Sequence, residues 1–274
     1  MKSFLRAFAI IRIASRYGLD EWLPDPRFKP LVRGFKWLSP TSIGYRDLPR
    51  GVRLRLAFQE LGPLFVKLGQ VLSTRRDLLP ADIADELAGL RDQVQPFDSN
   101  QAKQIIRDAL GQELDVLFAR FDDMPLASAS IAQVHAAALH DGQEVVVKVL
   151  RPGIEARIRE DIALMRVLAD GLCRVHPHAD KIRPHDVVSE LESTLIAECD
   201  LQREAANASL MHRLWQDSQE LIIPTVFWPM IRENVLVMER VYGIPADSVA
   251  ELDRLGIDRK ALAAKAVRIL YRQV

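Results

Sequence analysis

Cysteine is nearly absent from the 274-residue sequence, which contains only Cys173 and Cys199 and no Cys-x-x-Cys pair. Two thiols cannot build a disulfide framework, nor can they supply a zinc site made of several thiolates. So few cysteines are typical of a protein that stays in a reducing compartment. We therefore expect a cytosolic environment, and a bond between these two cysteines remains the alternative.

Long apolar runs are also lacking. Near the N terminus, the apolar run at residues 7–11 is bounded by Arg6 on one side and Arg12 on the other. A signal peptide needs an apolar core of about 7–15 residues, and a membrane-spanning helix needs about 20 apolar residues. The sequence therefore predicts no signal peptide and no transmembrane helix in this chain.

The chain has no net charge, because 37 lysines and arginines balance 37 aspartates and glutamates. The balance hides an asymmetry, since residues 1–55 contain 12 basic and 4 acidic side chains and the remainder is correspondingly acidic. An acidic body does not suit a polyanionic partner, so we expect no nucleic-acid binding. The basic head makes an anionic surface a partner to consider.

The basic head begins with a helical pattern. Residues 3–19 have apolar side chains at helical spacing, three arginines and no acidic residue, which predicts a short basic amphipathic helix. One interpretation is a surface helix that packs on its own domain. The other is a helix that lies in the headgroup region of an anionic membrane. Residues 20–50 contain five prolines and are predicted to form an irregular linker.

The rest of the chain combines helical and β-type segments. Helical patterns predict helices at residues 53–74, 81–93, 101–110, 155–175, 185–215 and 259–271. Runs with β propensity predict strands at residues 133–139, 144–150, 221–228 and 234–241. An Asp-Gly turn joins the first two runs as a hairpin. These elements predict an α+β fold with an antiparallel sheet.

A loop of small residues begins just before the first predicted strand. A protein-kinase phosphate loop reads G-x-G-x-x-G-x-V and is followed by a strand lysine. Here alanine stands at all three glycine positions, valine is kept, and Lys148 follows 14 residues later. Because alanine avoids positive φ, this loop predicts a nucleotide site with altered phosphate geometry. The loop residues are Leu126, Ala127, Ser128, Ala129, Ser130, Ile131, Ala132, Gln133 and Val134.

The alternative for this region is a tightly packed pair of small-residue strands with no ligand. Lys148 would then be a solvated lysine in the middle of a strand. Apolar residues flank Lys148 on both sides, so its ammonium group needs a partner if it is buried.

Lys67 and Gln70 lie three residues apart and share one face of a predicted helix. Gly69 lies between them, and a glycine inside a helix costs about 1 kcal/mol relative to alanine. We therefore expect that Gly69 permits the close approach of another element. The alternative is a surface lysine and glutamine beside a packing glycine.

Glu198, Asp200 and Glu204 lie within the predicted helix at residues 185–215. At about 100° per residue, Asp200 and Glu204 fall within about 40° of each other, whereas Glu198 points about 200° away from Asp200. One straight helix cannot aim Glu198 and Asp200 into the same pocket. Either the backbone departs from a helix there, or the two acids have separate partners; a solvated acidic face is the remaining alternative.

Together these motifs resemble the UbiB/AarF family of atypical protein-kinase-like proteins. The resemblance rests on residues 61–70, 72–80, 125–135, 198–207 and 237–245 and covers nearly the whole chain. It implies a kinase-like N-lobe, with an antiparallel sheet and helices, and a helical N-terminal extension that folds over the substrate cleft. The implied ranges are 1–50 for the basic helix and linker, 51–120 for the extension, 121–242 for the N-lobe and hinge, and 243–274 for the start of a C-lobe.

The resemblance also assigns roles to individual residues. It implies that the alanine-rich loop and Lys148 bind ATP or ADP, with Glu204 as the partner of Lys148. Met238 and Glu239 correspond to the hinge, where backbone groups would receive the adenine.

The extension contributes a second set of residues by the same resemblance. Lys67 and Gln70 correspond to its inward-facing residues, and Glu198 and Asp200 correspond to their acidic counterparts. Glu198 would then face Lys67, which fits the helical geometry above.

The family's catalytic Asp, its downstream Asn and its metal-binding Asp should follow the terminal helix. No histidine follows His212 and no aspartate follows Asp258, so these motifs are not in the 274 residues. We therefore expect a chain with most of the C-lobe missing, no metal site of its own and little turnover. Mg²⁺ is expected only for the full-length family member.

The resemblance implies an atypical kinase or ATPase that supports aerobic ubiquinone (coenzyme Q) biosynthesis. The implied location is the cytoplasmic face of the bacterial inner membrane, with biosynthetic enzymes or lipid intermediates as partners and a homodimer left open. The alternative function is a non-catalytic, pseudokinase-like, membrane-associated module. Such a module would present lipid intermediates or scaffold biosynthetic enzymes.

Overall fold

The computed structural model describes residues 2–19, 45, 47–74, 76, 79–90, 95–175, 183–218, 220–246 and 248–273. Most of the linker predicted at residues 20–50 lies outside these residues. The chain divides into two units that interleave along the sequence. The first comprises Met1–Asp98, Ala127–Gln133 and Leu150–Cys199, and the second comprises Ser99–Leu126, Val134–Val149 and Asp200–Val274.

In chain order the helices are α1 (Lys2–Arg16), α2 (Arg50–Leu61), α3 (Pro63–Thr74), α4 (Ala81–Ala88), α5 (Ser99–Leu110), α6 (Leu114–Leu117), α7 (Ile154–Val175), α8 (Pro184–Glu198), α9 (Leu201–Trp215), α10 (Val249–Arg254) and α11 (Arg259–Arg272). The strands are β1 (Arg120–Phe121), β2 (Ala127–Ser128), β3 (Ala132–Ala138), β4 (Glu144–Leu150) and β5 (Val235–Glu239). Helices and a sheet in one chain confirm the predicted α+β class.

The first unit is built from helices that share an apolar core. Helices α2, α3 and α4 pack against one another, and α7 packs along α8. The largest side chains that these helices bury completely are Leu64, Leu87, Ile158, Ile162, Leu191 and Leu195. Burial at i, i+3 and i+4 positions of each helix explains why an apolar stripe was readable in the sequence.

The helix predicted at residues 53–74 is wrong as a single helix, because it breaks between α2 and α3. Gly62 has φ of +107°, which a residue with a Cβ rarely adopts. Pro63 opens α3, a position where its missing N–H is not needed. A Cβ on Gly62 would also lie 3.0 Å from the Arg157 guanidinium, so the break allows a close contact.

The helix predicted at residues 185–215 is also wrong as a single helix. It ends at Glu198, and α9 begins at Leu201 after Asp200 adopts an extended backbone. The Asp200 carboxylate accepts hydrogen bonds from the backbone N–H groups of Gln202 and Arg203, at 3.0 and 3.1 Å. Asp200 therefore starts the new helix as its N-cap residue.

Two smaller expectations also need correction. The helix predicted at residues 81–93 ends at Ala88, and residues 91–94 lie outside the described part. The strand predicted at residues 221–228 does not form as a strand, since only Val226 makes an isolated bridge, to Met238. Pro224 lacks the N–H that a strand needs for its ladder.

The sheet of the second unit is antiparallel, with the order β1-β3-β4-β5. Gly142, with φ of +86°, forms the turn between β3 and β4, as the Asp-Gly signal predicts. Strand β4 alternates, so that Val145, Val147 and Val149 are fully buried while Lys148 points to the less buried face. Helix α9 packs on β5 in this unit.

Helix α1 packs on α2 and α7 within the first unit. Its residue Ile13 is buried, and so is Tyr17 just after the helix. The guanidinium of Arg6 binds both carboxylate oxygens of Asp161, whose side chain is 1% exposed, and also donates to Leu61 O at 2.7 Å. The structure therefore matches the packed-helix interpretation of this segment.

Candidate functional site

Lys148 and Glu204 form an ion pair in the second unit. The Lys148 Nζ atom lies 2.9 Å from Glu204 Oε1 and 2.7 Å from Oε2. The alternation of β4 directs Lys148 to the less buried face of the sheet, and Glu204 lies in the first turn of α9. Their side chains are 25% and 40% exposed, so the pair is accessible to a ligand.

The break before α9 gives the three acids separate positions. Glu198 ends α8, Asp200 caps α9 and Glu204 lies in the first turn of α9. The sequence argument left a helix break or separate partners as alternatives, and the structure has both. Asp200, whose partners are backbone N–H groups, acts locally as a helix cap.

Lys67 and Glu198 form an ion pair in the first unit. The Lys67 ammonium group on α3 donates to Glu198 Oε1 at the end of α8. Their side chains are 27% and 36% exposed, so water reaches both groups. The structure thus brings together one basic and one acidic residue that the motifs singled out, 131 positions apart in the chain.

Gln70 has a different partner from Lys67. Its Nε2 donates to the carbonyl oxygen of Leu90 at 3.3 Å. Between the two, Gly69 is buried, and a Cβ there would lie 2.3 Å from Leu90 Cδ1 and 2.8 Å from Phe58 Cδ2. The predicted close approach at Gly69 is therefore observed, and it is made by apolar side chains.

Cys199 lies directly after Glu198 and is buried, with 8% exposure. Burial, followed by the charges of Glu155 and Glu198, raises the pKa of its thiol to about 11. The thiol is therefore neutral at physiological pH. Cys173 on α7 is exposed, and both cysteines are free.

The alanine-rich loop turns back on itself. Strand β2 pairs with β3, and the Ala129 N–H donates to Ala132 O at 2.8 Å. Ser130, Ile131 and Ala132 are buried, whereas Leu126 is 50% exposed. The loop is thus a compact turn between two strand segments, with its flank open to solvent.

Gln133 ends the loop as a fully buried side chain. Its Oε1 accepts a hydrogen bond from the backbone N–H of Phe97 at 3.1 Å. The glutamine thereby ties the segment before α5 to the loop, within the first unit. Val134, the next residue, accepts a hydrogen bond at its carbonyl from the Leu126 N–H in the second unit.

Arg151 is a residue of this region that the sequence interpretation missed. Its Nε donates to Ala129 O at 3.0 Å, and its Nη2 donates to Ser128 Oγ at 2.7 Å and Gln95 O at 2.8 Å. Burial, followed by the charge of Arg157, lowers the pKa of this guanidinium. The available signal was an arginine at the end of an apolar strand, directly before Pro152-Gly153.

Met238 and Glu239 end strand β5, where Met238 pairs with Val146 and Glu239 pairs with Val145. The Glu239 N–H donates to Thr225 O at 2.8 Å, and the next N–H, of Arg240, donates to Glu144 O at 3.1 Å. Both of these backbone donors are thus used within the protein.

Side-chain contacts hold the segment after β5 in position. Tyr242 OH donates to a carboxylate oxygen of Glu144, and the Arg240 guanidinium lies 4.7 Å from the centre of the Tyr242 ring. Val241, between them, is 47% exposed.

The described residues lack two features that would indicate other functions. In that part of the chain, no group of three or more His, Cys, Asp or Glu side chains is arranged to hold a metal ion. None of the described helices is both long enough and apolar enough to span a bilayer.

A strand lysine paired with a helix glutamate, together with a small-residue loop, defines the protein-kinase-like class of N-lobe. A family model described as the ABC1 atypical kinase-like domain matches residues 89–274. The chain belongs to this family, which confirms the resemblance to the UbiB/AarF proteins and the kinase-like fold.

Curated relatives match the whole chain. A "Probable protein kinase UbiB" from Xylella fastidiosa (strain 9a5c) is 54% identical over 275 residues, covering 100% of this chain and 50% of the relative. A protein of the same name from Xanthomonas euvesicatoria pv. vesicatoria (strain 85-10) is 55% identical over 282 residues, with the same coverage. The chain thus spans about half the length of the curated relatives it matches.

A solved structure from Mycobacterium tuberculosis is among those similar to this chain. It is described as "The complex structure of Rv3197-erythromycin from Mycobacterium tuberculosis" and is 28% identical, with a TM-score of 0.50. The match covers 68% of this chain and 49% of the other.

Proposed function

We propose that this chain is the nucleotide-binding part of a UbiB-type atypical kinase or ATPase that supports ubiquinone biosynthesis. The observation that carries the proposal is the Lys148–Glu204 ion pair, with Nζ–O distances of 2.7 and 2.9 Å. In kinases such a pair holds the lysine that contacts the α- and β-phosphates. The ubiquinone role rests on the name of the relatives, probable protein kinase UbiB.

The chemistry of this pair suits an adenine nucleotide. A lysine ammonium group has three N–H donors and no acceptor. Two of the donors serve the Glu204 carboxylate, which leaves one for a phosphate oxygen. The carboxylate thereby orients Lys148 and still leaves one of its N–H donors for a ligand.

The alanine-rich loop would lie against the phosphates in this proposal. Alanine at positions 127, 129 and 132 is small enough for a close approach but excludes most positive-φ conformations. We therefore propose that the loop restricts phosphate geometry and sets the preference between ADP and ATP. Replacing Ala127 or Ala129 by glycine should change the ratio of the two affinities, and an unchanged ratio would contradict this role.

The adenine would be received near Met238 and Glu239. Because the N–H groups of Glu239 and Arg240 already donate to protein carbonyls, we assign the adenine contact to the backbone of the exposed Val241 that follows. This assignment places the backbone donor two residues beyond the end of β5.

Mg²⁺ is expected with the nucleotide in the full-length protein. The residues described for this chain include no carboxylate cluster suited to hold it. The proposal therefore assigns charge compensation in this chain to Lys148 alone and leaves phosphoryl transfer to the whole protein. Lys67, Gln70 and Glu198 are proposed to maintain the extension in its folded form, whereas Asp200 caps α9.

A thermal-shift titration with ADP and ATP tests the proposal. A nucleotide at about 100 times its Kd stabilises a folded protein by about 2.7 kcal/mol. We expect this stabilisation in the full-length wild type and in Lys260→Ala, an exposed lysine on α11, but not in Lys148→Ala. A nucleotide shift that survives Lys148→Ala would overturn the assignment.

The second candidate is a non-catalytic module that works at the inner-membrane surface with biosynthetic enzymes or lipid intermediates. The observation that favours it is Arg12, which is exposed on α1, a helix without acidic residues. Against it, Arg6 and Arg16 already pair with Asp161 and Glu60. Co-sedimentation of the full-length protein with anionic vesicles, reduced by Arg12→Glu, would support it, and equal binding to neutral vesicles would contradict it.

A further inference from the structure

The side chain of Arg151, in the first unit, binds the alanine-rich loop at two of its residues. Its guanidinium donates to Ser128 Oγ at 2.7 Å and to Ala129 O at 3.0 Å. The same guanidinium donates to Gln95 O at 2.8 Å, and the Arg151 backbone N–H donates to Ile131 O at 2.8 Å. Side chain and backbone together therefore bind the loop at three of its residues, 128, 129 and 131.

These contacts determine which way one peptide group points. In a planar trans peptide the C=O and the following N–H point in opposite directions. Because the Ala129 C=O points at Arg151, the Ser130 N–H of the same peptide points away from it. An arginine contact on one side of the loop thus presents a backbone donor on the other side, as in backbone anion-binding turns.

The contacts of Arg151 are difficult for another residue to reproduce. The planar fork of a guanidinium offers five N–H donors in fixed directions, whereas a lysine offers a single point charge. The ring of Phe97, 5.6 Å from the guanidinium carbon, covers one face of the group. The segment that carries Phe97 is also tied to the loop by Gln133. The arginine is therefore held in place before any ligand arrives.

We propose that Arg151 is a positioning residue for the nucleotide phosphates. It orients the Ala129–Ser130 peptide so that the Ser130 N–H binds a phosphate oxygen. This role rests on the proposed nucleotide site, and it concerns the phosphates rather than the adenine or the ribose.

The test compares ADP with adenosine, which lacks the phosphates, by calorimetric titration of the full-length protein. Loss of a contact to a charged group predicts that Arg151→Met weakens ADP binding about tenfold while adenosine binding changes less than about twofold. Arg151→Lys should recover only part of the ADP affinity. Arg157→Met is the matched control, because Arg157 also donates to a carbonyl, that of Leu61, in the same unit.

Equal weakening of ADP and adenosine, or no change in either, would overturn the role of Arg151. If Arg151→Met does not fold, Ser128→Ala removes one of the loop contacts and should still weaken ADP about threefold and leave adenosine unchanged. Unchanged ADP binding in Ser128→Ala would then count against the proposal. A wild type that binds neither ligand would instead refute the proposed nucleotide site itself.

Discussion

The ammonium nitrogen of Lys148 lies 2.7 Å from one carboxylate oxygen of Glu204 and 2.9 Å from the other. Both side chains are partly exposed, at 25% and 40%, so water screens the pair. Ion pairs of this kind contribute about 0.2–1 kcal/mol to stability. So small a contribution to stability agrees with the proposal that the pair orients Lys148 for a ligand.

The close packing at Gly69 predicts a large cost for a single methyl group. Gly69→Ala would place a Cβ 2.3 Å from Leu90 and 2.8 Å from Phe58, so α3 must shift or the neighbours must change rotamers. Overpacking of this kind typically costs about 1–3 kcal/mol. We expect a loss of this size in the free energy of unfolding, which urea denaturation would measure. Gly171→Ala on α7 is the control, because its Cβ would meet no atom within 4 Å. The control should stabilise the protein by about 0.5–1 kcal/mol.

Arg6 and Arg12 lie on the same helix, but we expect their substitution to change the stability of the protein by different amounts. Arg6→Ala removes the hydrogen-bonded partner of Asp161, whose side chain is 1% exposed, although the charge of Arg157 still acts on this buried carboxylate. We expect a loss of about 3 kcal/mol in the free energy of unfolding, in the range for one half of a buried ion pair. Arg12 is exposed, so Arg12→Ala should change stability by less than about 0.5 kcal/mol. Equal effects of the two substitutions would show that α1 does not dock through Arg6.

The two cysteines should differ sharply in reactivity. The pKa of Cys199 is raised to about 11, chiefly by burial, so almost none of it is thiolate at pH 8. Cys173 is exposed on α7 and should react first with iodoacetamide in the native protein. Peptide mapping by mass spectrometry should find label at Cys173 only until urea is added. Labelling of Cys199 at a similar native rate would contradict its burial.

The sequence predicts some elements of the fold better than others. The alternation of β4, the Asp-Gly hairpin and the order of the motifs were readable, because each depends on residues close together in the chain. The helix break at Gly62 was not predicted, because the apolar periodicity continues through it even though a Gly-Pro pair disfavours a continuous helix. The break at Asp200 was only one of the alternatives that the sequence left open. Asp200 as a cap becomes visible only when its carboxylate meets two backbone N–H groups.

The partners of the site residues were partly predictable. The resemblance to the UbiB/AarF family paired Glu204 with Lys148 and Glu198 with Lys67, and helical geometry fits that separation of the acids. Arg151 was missed because its partners are two carbonyls and a hydroxyl, from residues 95, 128 and 129, which carry no charge to match. Contacts to backbone atoms leave no pattern in the sequence, so tertiary structure is needed to find them.

His135 predicts a pH dependence of stability. Desolvation lowers its pKa, outweighing the backbone hydrogen bond to Asp122 and the charge of Asp123, which raise it; Lys103 lowers it further. Below pH 6.5 the unfolded state binds a proton at His135 more readily than the folded state does. The contribution of His135 to the free energy of unfolding is therefore fully present above pH 6.5 and falls as the pH drops below that value.

Urea denaturation between pH 5 and pH 8 measures this effect. His135→Gln should flatten the acid side of the stability profile. A wild-type slope in His135→Gln would mean that other groups cause the acid destabilisation.

The charge swap Lys148→Glu/Glu204→Lys tests the central claim most directly. The swap restores the ion pair, so the doubly substituted protein should recover the stability that each single substitution removes. If the pair serves to present an ammonium group at the position of Lys148, nucleotide binding should not recover with it. ADP affinity, measured by calorimetry, should nevertheless remain at least about tenfold below that of the wild type, since a carboxylate would then face the phosphates. Wild-type ADP affinity in the swapped protein would contradict the account.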